Sequence, residues 1–266
     1  MKTYTLAVIG GGNMGSALVA GLLSSNWIEP ADLAIVEVLS AQRDQLSQRF
    51  PGVTVVDAVP TCTAAVVAVK PPDAPTAAAA AAHTGAKRVL SIAAGVPISR
   101  LEEAVGTGVA VIRSMPNTPS LVGLGAAGVA PGTTATANDL AWATGILGAV
   151  GTVEVVPEYQ LDAVTGLVGS GPAYLFMIAE ALIDAGVLVG LTRASSEALV
   201  TQLFLGSAAM LSERGNAAEL RAMVTSPGGT TAAGLKALED RAVRSALQSA
   251  VVAATERSRE LGRGTL

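Results

Sequence analysis

Aromatic side chains are scarce: three Phe, two Trp and three Tyr make up 3% of a 266-residue chain. Half the chain is hydrophobic, so the core has to be filled with small aliphatic residues, and close helix–helix and helix–sheet contacts are expected. There is one cysteine, Cys62, and one histidine, His83. A lone cysteine excludes an internal disulfide, and one Cys with one His supplies too few ligands for a structural zinc site, so no metal is expected. Cys62 reads as a small semi-buried thiol, because no adjacent base or cation would activate it. His83 follows an alanine run and reads as a surface or helix-end residue. Positive charge is also short, with 17 Lys and Arg against 21 Asp and Glu. That balance gives no basic stripe for nucleic acid and no cationic patch for a membrane surface. An anionic ligand would have to be held by local backbone donors or single cations.

The N-terminus carries no basic stretch followed by a long apolar run, so no secretory leader is expected. The longest apolar region, residues 161–191, contains Glu180 and Asp184 and several glycines. It reads as a buried core helix, because a membrane span would pay heavily for those carboxylates. A cytoplasmic chain without membrane or nucleic-acid partners is the expectation.

The first 160 residues alternate short apolar strands with helices. Strands are expected at residues 5–9, 33–38, 53–56, 64–69, 89–92, 109–114, 125–130 and 152–155. The intervening helices fall at 14–23, 41–49, 74–82, 98–105 (with Ser99 as N-cap) and 138–147. This order argues an α/β fold, a doubly wound and mostly parallel Rossmann sheet. From residue 161 the period is helical throughout, with helices expected at 172–189, 193–213, 217–224, 231–238 and 241–261. The chain therefore divides into a dinucleotide-binding domain at 1–160 and an all-helical domain at 161–266. The helices of the second domain expose wide apolar faces, and dimerisation through them would cover those faces.

The strongest local motif is Gly10-Gly11-Gly12-Asn13-Met14-Gly15, which follows a strand and opens a helix. Gly10, Gly12 and Gly15 have the G-x-G-x-x-G spacing. Here the first glycine makes the tight turn, the second admits a pyrophosphate and the third lets helix pack on strand. The helix N-terminus offers free N–H groups to the phosphates. Glu37, at the end of the second strand, is placed to bind the adenosine ribose hydroxyls and favours NAD. Ser40 and Arg43 just beyond could hold a 2′-phosphate if Glu37 turned outward, so NADH and NADPH both stay open. Ala68, Val69 and Lys70 end the fourth strand, and Ile92, Ala93 and Ala94 end the fifth, where the carboxyl edge of such a sheet faces its ligand. Lys70 reads as a cofactor contact, against the alternative of a lysine merely leaving the sheet. Asn117, bracketed by Pro116 and Pro119, is held near the nicotinamide or forms a plain turn.

The helical half carries Ser226-Pro227-Gly228-Gly229-Thr230-Thr231. Its glycines free successive N–H groups to converge as an anion nest at a helix start, which suits a carboxylate. The alternative is an ordinary threonine cap.

Taken together, these motifs resemble pyrroline-5-carboxylate reductase. The matching segments are Ile9 to Gly15, Ala68-Val69-Lys70-Pro71, Ser91 to Gly95, Arg113 to Pro119, Gly169 to Tyr174 and Val224 to Thr231, in family order across nearly the whole chain. The resemblance implies a Rossmann domain, a helical dimerisation domain, and dimers that assemble further, up to a decamer. It implies hydride transfer from NADPH or NADH to the C=N bond of 1-pyrroline-5-carboxylate, giving L-proline as the last step of proline biosynthesis. It also implies cofactor contacts at Ile9, Gly10, Gly11, Gly12, Asn13, Met14, Ala68, Val69, Lys70, Ile92, Ala93 and Ala94, to which the placement of Glu37 and Asn117 described above adds two further candidates. Substrate contacts fall at Ser226, Gly228, Gly229, Thr230 and Thr231, with the Thr231 hydroxyl against the ring nitrogen. Three positions depart from the pattern: Glu37 where many relatives carry serine or asparagine, Asp57 near an expected asparagine, and Val168 for a serine.

A protonated cyclic imine is already a strong electrophile, so its reduction needs no buried strong acid, consistent with a chain lacking a suitable histidine. Two rival readings are a β-hydroxyacid dehydrogenase-like enzyme and a non-catalytic NAD(P)-binding sensor. The first needs a lysine on the core helix, and residues 172–189 have none.

Overall fold

Eight short apolar runs pair into one sheet. The computed structural model describes residues 2–263. In chain order the strands are β1 (Leu6–Ile9), β2 (Leu33–Val36), β3 (Thr54–Val56), β4 (Ala64–Val67), β5 (Arg88–Ser91), β6 (Ala110–Met115), β7 (Gly125–Pro131) and β8 (Gly151–Val155). Their spatial order is β3-β2-β1-β4-β5-β6-β7-β8, and every pairing is parallel except β6 with β7. The order reverses between β1 and β4, the switch point at which such sheets bind ligands. β1, β2 and β4 are buried at every residue, which is why they read as unbroken apolar runs rather than alternating ones.

The helices of this part are α1 (Asn13–Ser24), α2 (Ser40–Arg49), α3 (Ala74–His83), α4 (Ile98–Val105), α5 (Ala137–Gly148) and α6 (Leu161–Val164). One core cluster joins Leu18, Leu22, Ile35, Leu90, Ile146 and Leu147, and a second joins Val67, Val89, Leu101, Val111 and Leu161. The scarcity of aromatics shows in the packing. Ala74, Ala78 and Ala81, one stripe of α3, are fully buried against the sheet and α4. Cys62 is fully buried as well, and burial pushes its thiol pKa up despite a Thr84 hydrogen bond. His83 ends α3 in solvent.

Two sequence expectations are corrected here. Ser99 does not cap α4: Pro97 is the N-cap residue and Ser99 lies inside the helix. The missing acceptor comes from Glu158, whose Oε1 takes the Ile98 N–H at 2.6 Å. The boundary also differs from residue 160. Among the described residues, one compact unit holds residues 2–170 and 251–263, and the other is Gly171–Ala250. α6 stays with the sheet because Leu161 is completely buried in its core. The chain returns to that unit in α11 (Val243–Gly262), where Ser258 donates to Asp162 Oδ1 at 2.7 Å.

The second unit is helical: α7 (Gly171–Leu188), α8 (Arg193–Arg214), α9 (Ala217–Met223), α10 (Thr230–Asp240) and the start of α11. α7 is apolar yet buries no residue within the chain, so it is not the buried core helix expected. Leu175, Phe176, Met177, Leu182, Leu199 and Leu203 all stand exposed. Residues 158–188 are long and apolar enough to cross a membrane by length and composition.

Candidate active site

The sheet brings most of the proposed cofactor residues to one edge. Beyond the strands, the ladder continues for one step: Gly10 N–H donates to Val36 O, Glu37 N–H to Val56 O, Ala68 N–H to Ile9 O and Ile92 N–H to Val67 O, all at 2.8–3.0 Å. These four bonds align the carboxyl ends of β2, β1, β4 and β5. Ile9 to Met14, Glu37, Ala68 to Lys70 and Ile92 to Ala94 therefore share one rim. Ala93 is buried, Ala68, Val69, Ile92 and Ala94 are half-buried, and Lys70 is exposed just past β4.

Two glycines of the loop are explained by backbone neighbours. Gly10 has φ +107°, and a Cβ there would lie 2.5 Å from the Ala68 carbonyl oxygen. A Cβ on Gly15 would run into the Gly10 carbonyl. Gly12 is different. Its φ is −66°, which any residue adopts, and no atom beyond its own chain neighbours lies within 4 Å of where its Cβ would be. Neither backbone nor packing calls for glycine at that position. The space it leaves open is at the N-terminus of α1, where no side chain caps the helix. That is the space and the donor set a pyrophosphate needs. The residues present thus fit a dinucleotide.

Glu37 is 9% exposed and doubly held. Its Oε2 accepts the Gly11 N–H at 3.1 Å and its Oε1 accepts the Leu39 N–H at 3.0 Å. Arg43 braces the same turn from outside, its Nη1 donating at 2.9 Å to both the Glu37 and Val38 carbonyls. Ser16 and Gln42 each donate to the Gly11 carbonyl at 2.9 Å, so the glycine loop is tied on both sides.

Asn117 is committed inside the protein. Its Oδ1 accepts the Ala126 N–H at 2.8 Å and its Nδ2 donates to Val168 O at 3.1 Å, with 9% exposure. It braces the segment after β6. A network unsigned in the sequence does similar work nearby. Arg113, 6% exposed on β6, meets Glu158 at 3.1 Å and Asp162 at 3.8 Å, and Glu158 also caps α4. These partners lie 45–49 positions along the chain, beyond the reach of local pattern.

In the helical unit, α10 starts at Thr230 behind Gly229, and no side chain caps it. The threonine-cap reading is thereby removed. Gly228 has φ +69° with open space around it, and Gly229 N–H is spent on Ser226 O at 3.1 Å. The first backbone bond into the helix is Ala233 N–H to Gly229 O, which leaves the amides of Thr230, Thr231 and Ala232 as the unsatisfied first-turn donors. Thr231 is half-buried and Thr230 exposed. Neither hydroxyl has a hydrogen-bond partner among the described residues. Lys236, further along α10, is paired with Asp240 at 2.7 Å.

The mostly parallel sheet and the glycine loop at its switch point define a Rossmann-type dinucleotide-binding protein. Residues 5–95 match the family model for NADP oxidoreductase, coenzyme F420-dependent, and residues 158–261 match pyrroline-5-carboxylate reductase dimerisation. Over 96% of both chains, 42% of residues are identical to a pyrroline-5-carboxylate reductase from Mycobacterium leprae. Identity to that of Methanosarcina acetivorans is 41%, over 99% of this chain and 100% of the relative. The crystal structure of a pyrroline-5-carboxylate reductase from Coxiella burnetii superposes with TM-score 0.90 at 34% identity, covering 98% and 99% of the two chains. The Plasmodium falciparum enzyme, solved with NADP bound, gives 0.85 at 32% identity, covering 97% and 98%. The chain belongs to the pyrroline-5-carboxylate reductase family.

Proposed function

We propose that this chain reduces the C=N bond of 1-pyrroline-5-carboxylate with NAD(P)H to give L-proline. The observation that carries the reading is the pair of prepared anion sites: open space at Gly12 over the uncapped α1, and three free amides at the uncapped start of α10. The first suits a pyrophosphate and the second a substrate carboxylate. Bound NAD(P)H supplies the hydride. The chain's own contribution is positional. Gly10 to Met14 and the rim at Ala68 to Lys70 and Ile92 to Ala94 seat the cofactor. The amides of residues 230–232 fix the substrate carboxylate. The Thr231 hydroxyl, without a partner among the described residues, orients the ring nitrogen and holds its proton. Orientation of this kind can contribute on the order of 7 kcal/mol to the barrier reduction.

Asn117 enters this account as a brace of the cofactor rim. The exposed apolar faces of α7 and α8 pack against a second copy of the chain rather than lipid, since Glu180 and Asp184 lie within that stretch. The working unit is a homodimer, a soluble enzyme of the cytoplasm. The β-hydroxyacid dehydrogenase reading loses its general acid, because α7 has no lysine and Lys236 is paired with Asp240. NAD(P)H oxidation followed with pyrroline-5-carboxylate and with a panel of β-keto acids tests the reading. Turnover with the imine alone is expected; turnover confined to the β-keto acids overturns it.

A further inference from the structure

We propose that Glu37 makes this enzyme select NADH over NADPH. The proposal rests on the dinucleotide-binding reading above and not on the identity of the substrate.

A 2′-phosphate would be tolerated if Glu37 swung away and a nearby cation took its place. The structure opposes both steps. Swinging Glu37 outward breaks its bonds to the Gly11 and Leu39 amides, both charge-assisted and one of them buried. The first also closes the glycine loop, so the carboxylate is part of the cofactor cradle. A carboxylate has about four acceptor sites. Two are used by these amides, and two remain for the two hydroxyls of a ribose.

The one cation beside this turn is already engaged by the backbone. Arg43 is the only Lys or Arg between β2 and residue 48, and its Nη1 is spent on the carbonyls of Glu37 and Val38. Asp44 follows it directly, so residues 37–44 carry two acids and one base. Arg49 stands at the other end of α2, about 14 Å along the helix from Ser40. Its guanidinium lies over the Phe50 ring at 5.1 Å. A phosphate at the ribose 2′ position would thus meet a fixed carboxylate, with the single nearby guanidinium already held against the Glu37 and Val38 carbonyls.

The test uses the whole enzyme and reads binding separately from turnover. NADH and NADPH are titrated by nicotinamide fluorescence without substrate, at low and high salt, on the wild type and on Glu37→Ser and Glu37→Gln. The wild type is expected to bind NADH at least about tenfold more tightly, a difference of about 1.4 kcal/mol. Raising salt should narrow the gap, because screening weakens the repulsion. Glu37→Ser should move the NADH/NADPH ratio toward NADPH by about tenfold or more, with Glu37→Gln in between. A wild type that binds NADPH as tightly as NADH overturns the proposal, whatever the variants do. A ratio unmoved in a folded Glu37→Ser protein overturns it too. A clear NADH preference without imine turnover would leave this proposal standing and sink the substrate assignment instead.

Discussion

Replacing Gly12 with alanine separates the protein's needs from the ligand's. Beyond its own chain neighbours, nothing lies within 4 Å of the new methyl, and the backbone at φ −66° accepts it. Alanine is a poorer N-cap than glycine by roughly 0.5–1 kcal/mol. The stiffer unfolded chain returns about 0.4–1 kcal/mol. The two nearly cancel, so the melting temperature should stay within about 2 °C. Cofactor binding should behave differently, because the methyl occupies the space a pyrophosphate needs. Losing two charged hydrogen bonds at roughly 1.5 kcal/mol each is about 3 kcal/mol, on the order of a hundredfold in Kd. Thermal melts and NAD(P)H fluorescence titrations read the two effects independently. Gly10→Ala is the control: its Cβ would meet the Ala68 carbonyl at φ +107°, and it should cost about 2 kcal/mol or more of stability. A Gly12→Ala protein that melts early, or one that keeps its affinity, refutes the reasoning.

Three further outcomes follow from the geometry. Thr231→Ala should lower turnover about tenfold or more while leaving the cofactor Kd within about twofold; equal turnover removes Thr231 from the reaction. Arg113→Ala leaves Glu158 and Asp162 without their buried partner and should cost about 3 kcal/mol by denaturant melts, with a loss under about 1 kcal/mol contradicting a structural role for the network. At Asp139, burial works to raise the carboxyl pKa, but the Thr136 hydroxyl and amide and the Arg88 charge outweigh it and hold the value below the ordinary one. A lowered folded-state pKa stabilises above the unfolded value of about 3.9 and is lost as pH falls through the folded one. The Tm gap between wild type and Asp139→Asn should accordingly be full at pH 7 and shrink below about pH 4; a gap that widens on acidification would contradict the sign.

The eight strands were legible because each is a short apolar run, and runs buried on both faces, such as β1 and β4, need no alternation to be found. The glycine loop was legible because its spacing is local. What escaped was carried by distant pairs. Glu158 caps a helix 60 positions away, and Ser258 ties α11 to Asp162 across 96. No periodicity encodes either contact, and both move a boundary or a cap. The exposure of α7 was misread for a related reason: an apolar helix reads as buried, but what covers it need not belong to the same chain. The two prolines around Asn117 signalled rigidity, while the target of its amide, the Ala126 and Val168 backbone, required the fold. Glu37 shows the opposite case. Its position was readable, and only its lock to Gly11, 26 residues upstream, decides whether it can turn away.

The most direct test of the central claim is product analysis of the purified enzyme incubated with NADH or NADPH and 1-pyrroline-5-carboxylate. One L-proline should form for each cofactor oxidised, and at a cofactor concentration about ten times the wild-type Kd the hundredfold weaker Gly12→Ala protein should form it about tenfold more slowly. Cofactor oxidation without proline, or no oxidation by the folded wild type, would contradict the assignment.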